Sequence, residues 1–154
     1  MKNSIFILTI LMLILLSSKK STPENFTFKY SMEYVNNYKI ECTIDSKTNT
    51  YTIVEYNYLF DNMAKKHDPL SISGTLTKNE NSRFIFYVEM ANLFNLKNSY
   101  GFEESTDFVC QSYIVTPSKE KYIISSHVNN QLPTHYLTLI SFMNDFISEH
   151  KKKK

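Results

Sequence analysis

Four histidines and two cysteines are the residues of this 154-residue chain best suited to catalysis or metal binding. Histidine is the commonest general base, but it acts only beside a positioned partner. His67 precedes Asp68 in a lysine-rich stretch, His127 ends a β-branched run, His135 stands at the start of a helical pattern, and His150 belongs to the tail. No His-Glu-x-x-His spacing joins any two of them, and each reads as a structural or solvated residue. Cys42 and Cys110 both sit in apolar, β-branched stretches and admit two readings. One is a single disulfide, as expected for two cysteines in an exported chain. Closing a loop of about 68 residues would stabilise the fold by about 4 kcal/mol in the chain-entropy model. The other is a pair of small buried hydrophobes. With no histidine at matching spacing they make no zinc site.

Glu103, Glu104 and Asp107 cluster in one stretch. Three carboxylates would hold Ca²⁺ weakly, but the spacing matches no EF-hand loop, and a solvated loop is the plain reading. No Gly-x-Ser-x-Gly nucleophile motif occurs. Gly74 and Gly101 are the only glycines, which excludes glycine-rich phosphate loops. No catalytic, cofactor-binding or metal-binding residue is therefore assigned, and no cofactor is expected. The tyrosines Tyr51, Tyr56 and Tyr58 are more suggestive. An exposed tyrosine row offers contact area at low entropy cost, which suits a partner protein or a glycan. The competing and preferred expectation is that the face carrying Thr52, Val54, Tyr56, Tyr58 and Phe60 packs under a helix. Asn25-Phe-Thr27 fits a glycosylation acceptor, which matters only in a eukaryotic source.

The compartment is the clearest message of the sequence. Lys2 precedes an apolar run, Ile5–Leu16, closed by Ser17 and Ser18. That is the layout of a secretory signal peptide, and the run is short for a bilayer, which needs about 20 apolar residues. The expectation is export to the periplasm, the envelope or the medium. The membrane would be touched only if the segment stays uncleaved. The chain then divides into a signal peptide at 1–18, a linker at 19–25, one α+β domain at 26–150 and a lysine tail at 151–154. Seven of the 17 basic residues lie at the two ends, so ten remain between Ser21 and His150 against all 15 acidic residues. A body near −5 has no basic footprint for nucleic acid. The lysine tail reads as a solvated helix end that complements the helix dipole.

These residues must be positioned by strands and two helices. Phe26–Met32 suggests a first strand. Tyr38–Asp45 alternates strictly, with Tyr38, Ile40, Cys42 and Ile44 on one face and Lys39, Glu41, Thr43 and Asp45 on the other. With Tyr51–Phe60 it makes a hairpin, and Ser71–Leu76 is a short edge strand. Thr77 and Glu80 have the spacing of a capping box ahead of a helix over Thr77–Phe94. Asp107–Thr116 and Lys121–Val128 form a second hairpin, and Pro133 introduces a helix over Thr134–His150. The predicted fold is α+β: an antiparallel sheet of four to six strands with two helices on one face, in ββαββα order.

That order resembles a group of exported bacterial domains of unknown function. The resembling pieces are Tyr38-Lys-Ile-Glu-Cys-Thr-Ile-Asp45, Leu76-Thr-Lys-Asn-Glu80, Leu93-Phe-Asn-Leu96 with Tyr100, the second hairpin and Leu132-Pro-Thr134, over roughly Phe26–Ile147. Members with paired Cys and Gly before the first hairpin differ here, where Glu33–Asn37 stands instead. The resemblance implies an exported domain and no reaction. The functional expectation is a non-catalytic binding or interaction module whose partner is an envelope protein or glycan. The alternatives are an inhibitor of an exported enzyme and a small hydrolase.

Overall fold

A computed structural model describes residues 25–34, 37–58, 68–101, 108–126 and 132–152. The signal-peptide and linker expectations for 1–24 lie outside these residues.

The second strand shows how the alternation builds the sheet. In β2 (Tyr38–Asp45) Ile40, Cys42 and Ile44 are buried, while Lys39, Glu41 and Thr43 lie half-exposed on the opposite face. Tyr38, expected with the buried set, is only half-buried at the strand's end. β1 (Thr27–Tyr34) pairs antiparallel with β2, setting Phe28 opposite Ile44 and Tyr30 opposite Cys42. β3 (Thr50–Asn57) pairs on the other edge of β2, and β4 (Leu70–Thr75) pairs with β3. The turn between β2 and β3 is held by Asp45, whose carboxylate accepts from the amides of Lys47 and Thr48 at 2.8 and 3.0 Å. Asn49 closes it in the left-handed region, a conformation asparagine tolerates.

The sheet order is β4-β3-β2-β1-β6-β7-β5, with β5 at Ser99–Tyr100, β6 at Phe108–Val115 and β7 at Glu120–Ser126. This corrects the predicted count. The described residues form seven strands in a mixed sheet, because β5 runs parallel to β7 while every other pair is antiparallel. It also moves the first strand. β1 is no addition at the front: it lies at the centre, paired along its whole length with both β2 and β6.

Helix α1 (Lys78–Ala91) opens on the predicted capping box. The Glu80 amide donates to Thr77 Oγ1 at 3.2 Å, and the Thr77 amide donates to Glu80 Oε2 at 2.7 Å. It ends three residues earlier than expected, because Asn92 turns left-handed (φ 49°) and a 3₁₀ turn follows at Leu93–Asn95. Helix α2 (Thr134–Lys152) starts behind Pro133, whose carbonyl accepts from the amides of Tyr136 and Leu137. It buries a line running through Tyr136, Ile140, Met143 and Ile147 to His150.

Both helices cover the same face of the sheet. Phe84 of α1 packs against Phe26 and Phe28 with ring centroids 5.8 and 5.7 Å apart, while Phe146 of α2 meets Tyr51 edge-on at 5.2 Å. Phe142 of α2 stacks on Phe84, joining the helices. Gly74 is required where it stands. It lies opposite Tyr51, and a Cβ there would fall 2.6 Å from the Tyr51 hydroxyl.

Candidate functional site

The two cysteines come to lie under the helices. Cys42 is on β2 and Cys110 on β6, with β1 between them, and both are free, buried thiols. Neighbouring strands are about 4.8 Å apart, so two strand spacings exceed the roughly 7 Å Cα limit for a disulfide. The disulfide reading is corrected on that ground. Burial pushes the Cys42 thiol up to about 12 and raises Cys110 as well. Thiols so raised stay protonated at neutral pH and are poor nucleophiles.

Around Cys110 the helix-covered face carries a chain of polar groups. The Tyr30 hydroxyl donates to Asn144 Oδ1 at 2.9 Å and lies 3.5 Å from Cys110 Sγ. The Tyr136 hydroxyl donates to Ser112 Oγ at 3.0 Å. Burial raises both phenols, Tyr136 to about 12. Held in their neutral forms and bonded to one another, these groups stitch α2 onto the sheet.

His150 corrects the reading of the tail. It is buried, with Nδ1 2.9 Å from the Phe146 carbonyl and Nε2 3.3 Å from Glu80 Oε1, and it packs against Tyr51 and Phe146. It thereby ties the end of α2 to the capping box of α1. Its spacing from Phe146 and Ile147 continues the apolar line of the helix, and that periodicity is the signal that marks it in the sequence. His135 is exposed in the first turn of α2. His67, His127, Glu103, Glu104 and Asp107 lie outside the described residues. Among the described residues no three His, Cys, Asp or Glu side chains gather as metal ligands.

The face away from the helices carries the tyrosines. Tyr56 belongs with Thr52 and Val54 on this face, so the expectation that this row packs under a helix is corrected; Tyr51, of opposite parity, is the one that does. Tyr56 and Tyr58 stack at 6.2 Å with planes 18° apart, and Lys39 Nζ lies 5.9 Å from the Tyr56 ring centre. Lys39 and Lys29 both reach Glu41, at 2.9 and 3.2 Å. Burial works to raise the Glu41 carboxyl, but the hydrogen bonds from the two lysines prevail and hold it below the ordinary range. Across β1, Tyr113 and Tyr122 pair on the same face, and the Tyr113 hydroxyl donates to Glu120. That hydrogen bond raises the phenol. Tyr122 is 44% exposed. Two tyrosine pairs thus flank an ion-paired centre on the sheet face away from α1 and α2.

A groove opens on the other side, between the end of α2 and the paired ends of β1 and β2 near Met32 and Tyr38. It is a shallow, open depression of about 390 Å³ over Met32, Ile40 and Ile147. At its polar end Lys151 Nζ pairs with Glu55 at 2.6 Å and donates to the Tyr38 hydroxyl at 3.2 Å. Lys151 is thus a packed member of α2 and not a solvated tail residue. Neither any protein-family model nor any curated protein sequence matches the chain. Among the described residues no helix is long and apolar enough to cross a membrane.

Proposed function

We propose that this chain is a non-catalytic binding module, exported through its Ile5–Leu16 segment and docked on an envelope partner through the face of its sheet that lies away from α1 and α2. The observation that carries the reading is the pair of tyrosine couples, Tyr56–Tyr58 and Tyr113–Tyr122, on that face. Tyrosine is enriched at binding surfaces because its rigid ring offers a large, amphipathic contact. The charged centre between the couples supports a specific orientation, since complementary charge fixes register more than affinity. The buried thiols and phenols are better suited to structure than to catalysis, because their raised pKa values oppose nucleophile formation.

The test is capture from the native envelope fraction by wild-type protein, by Tyr56→Ala/Tyr58→Ala and by Phe86→Ala. Phe86 is exposed on α1, on the opposite side of the molecule. A partner, protein or glycan, held by wild type and Phe86→Ala but lost from the tyrosine double variant is the expected result. Loss through Phe86→Ala alone, or turnover of an envelope substrate by the purified protein, would overturn the reading.

A further inference from the structure

We infer that the groove between α2 and the paired ends of β1 and β2 is a second binding site, built for a free, single-chain anionic amphiphile with a carboxylate head, such as a medium-chain fatty acid. The floor is apolar: Met32 from β1, Ile40 from β2 and Ile147 from α2. Its volume of about 390 Å³ falls at the lower end of the roughly 300–1,000 Å³ of small-molecule sites, which are typically apolar with a few placed polar groups. An alkyl chain fits that description better than a flat polar metabolite.

The polar groups are confined to the α2 side and to one end. Lys151 and Lys152 line the groove there, in a run of four lysines, 151–154, and one carboxylate, Glu55, meets Lys151. The excess charge is positive, on a body that is otherwise acidic. An ammonium carries three donor protons. Lys151 directs one to Glu55 and one to Tyr38, which leaves a third for an incoming carboxylate. Glu55 and Tyr38 hold the ammonium at the groove mouth in advance, so little side-chain freedom is lost on binding. Asn144 adds a second polar contact. Its Oδ1 is engaged by the Tyr30 hydroxyl, so its amide NH₂ is the end that remains to donate.

The site is separate from the tyrosine face, and its test is independent of partner capture. Octanoate, decanoate and dodecanoate are titrated calorimetrically into the full chain below their micellar concentrations. Each methylene entering the groove should tighten binding about fourfold, saturating at one ligand per chain. Dodecyltrimethylammonium, with the same tail and the opposite charge, should bind at least tenfold more weakly than dodecanoate. Ser148 lines the groove from the exposed side of α2, so Ser148→Trp fills it without entering the core. That variant should lose dodecanoate binding more than tenfold while melting like wild type and capturing the envelope partner unchanged. Lys152→Gln should weaken dodecanoate severalfold and leave the ammonium analogue unaffected. Equal affinity for the two head groups, unchanged binding by Ser148→Trp, or sedimentation with phosphatidylglycerol vesicles without dodecanoate binding would each overturn the assignment.

Discussion

On the helix-covered face of the sheet Tyr30 is fully buried and its hydroxyl is bound to Asn144; on the open face Tyr122 is 44% exposed beside Tyr113. The same side chain does two jobs in one sheet, and strand parity decides which. Tyr51 and Tyr56, five residues apart on β3, point to opposite faces, so one packs on Phe146 while the other stacks with Tyr58. Polar groups differ in the same way. Beneath the helices the Tyr30 and Tyr136 hydroxyls and the Cys110 thiol meet neutral partners, as burial favours. On the open face Glu41 remains charged between two lysines and in reach of water. One face is packed beneath α1 and α2 and the other carries partly exposed side chains, so substitutions should cost stability on the first and far less on the second.

The largest loss should come from Phe84→Ala. Phe84 is fully buried between Phe26, Phe28 and Phe142, and large-to-small changes at such sites cost about 3–5 kcal/mol. Urea melts would measure it, and a cost under about 1 kcal/mol would break the claim that α1 seals this face. Next is Tyr30→Phe, which takes its donor from the half-buried Asn144 Oδ1. It should cost about 0.5–1.5 kcal/mol by the same melts. Thr77→Ala removes the cap of α1 and should cost about 1 kcal/mol, seen as a lower urea midpoint with an unchanged slope.

The smallest effect belongs to the open face. Glu41→Gln should change stability by about 0.2–1 kcal/mol, since the ion pairs are partly exposed and screened. Its pH dependence has a definite sign. The folded carboxyl sits below its unfolded value, so the contribution is complete above the ordinary carboxylate pKa near 4.3 and fades as pH falls through the folded value. Melts of wild type and Glu41→Gln between pH 3 and 6 should therefore converge at the acid end. A gap that widens toward acid would show that the lysine pairs do not set the Glu41 titration.

The local chemistry was readable in advance. Thr77 and Glu80 named the start of α1, because a capping box needs only four consecutive residues. The alternation in Tyr38–Asp45 sorted Ile40, Cys42 and Ile44 from Lys39 and Glu41. The tyrosine row was legible as a set, yet the side it would face was not. Parity groups residues but does not say which group meets a helix. Asn92 ended α1 early because one left-handed residue outweighed apolar periodicity that ran on to Phe94.

What the sequence determined by itself is therefore local: strand parity, both helix starts and the apolar line of α2. What only the tertiary structure decided is which segments meet at long range. β1 stands at the centre because β6, some eighty residues on, pairs along its free edge. That placement holds Cys42 and Cys110 one strand too far apart to bond, and it brings Tyr30 beneath Asn144. His150 likewise acquires a role only when the end of α2 reaches Glu80 at the start of α1. Capping and alternation are settled within a few residues by backbone geometry. The pairing of distant strands and helices is settled by burying the most apolar surface at once, a property of the whole chain that no short window contains.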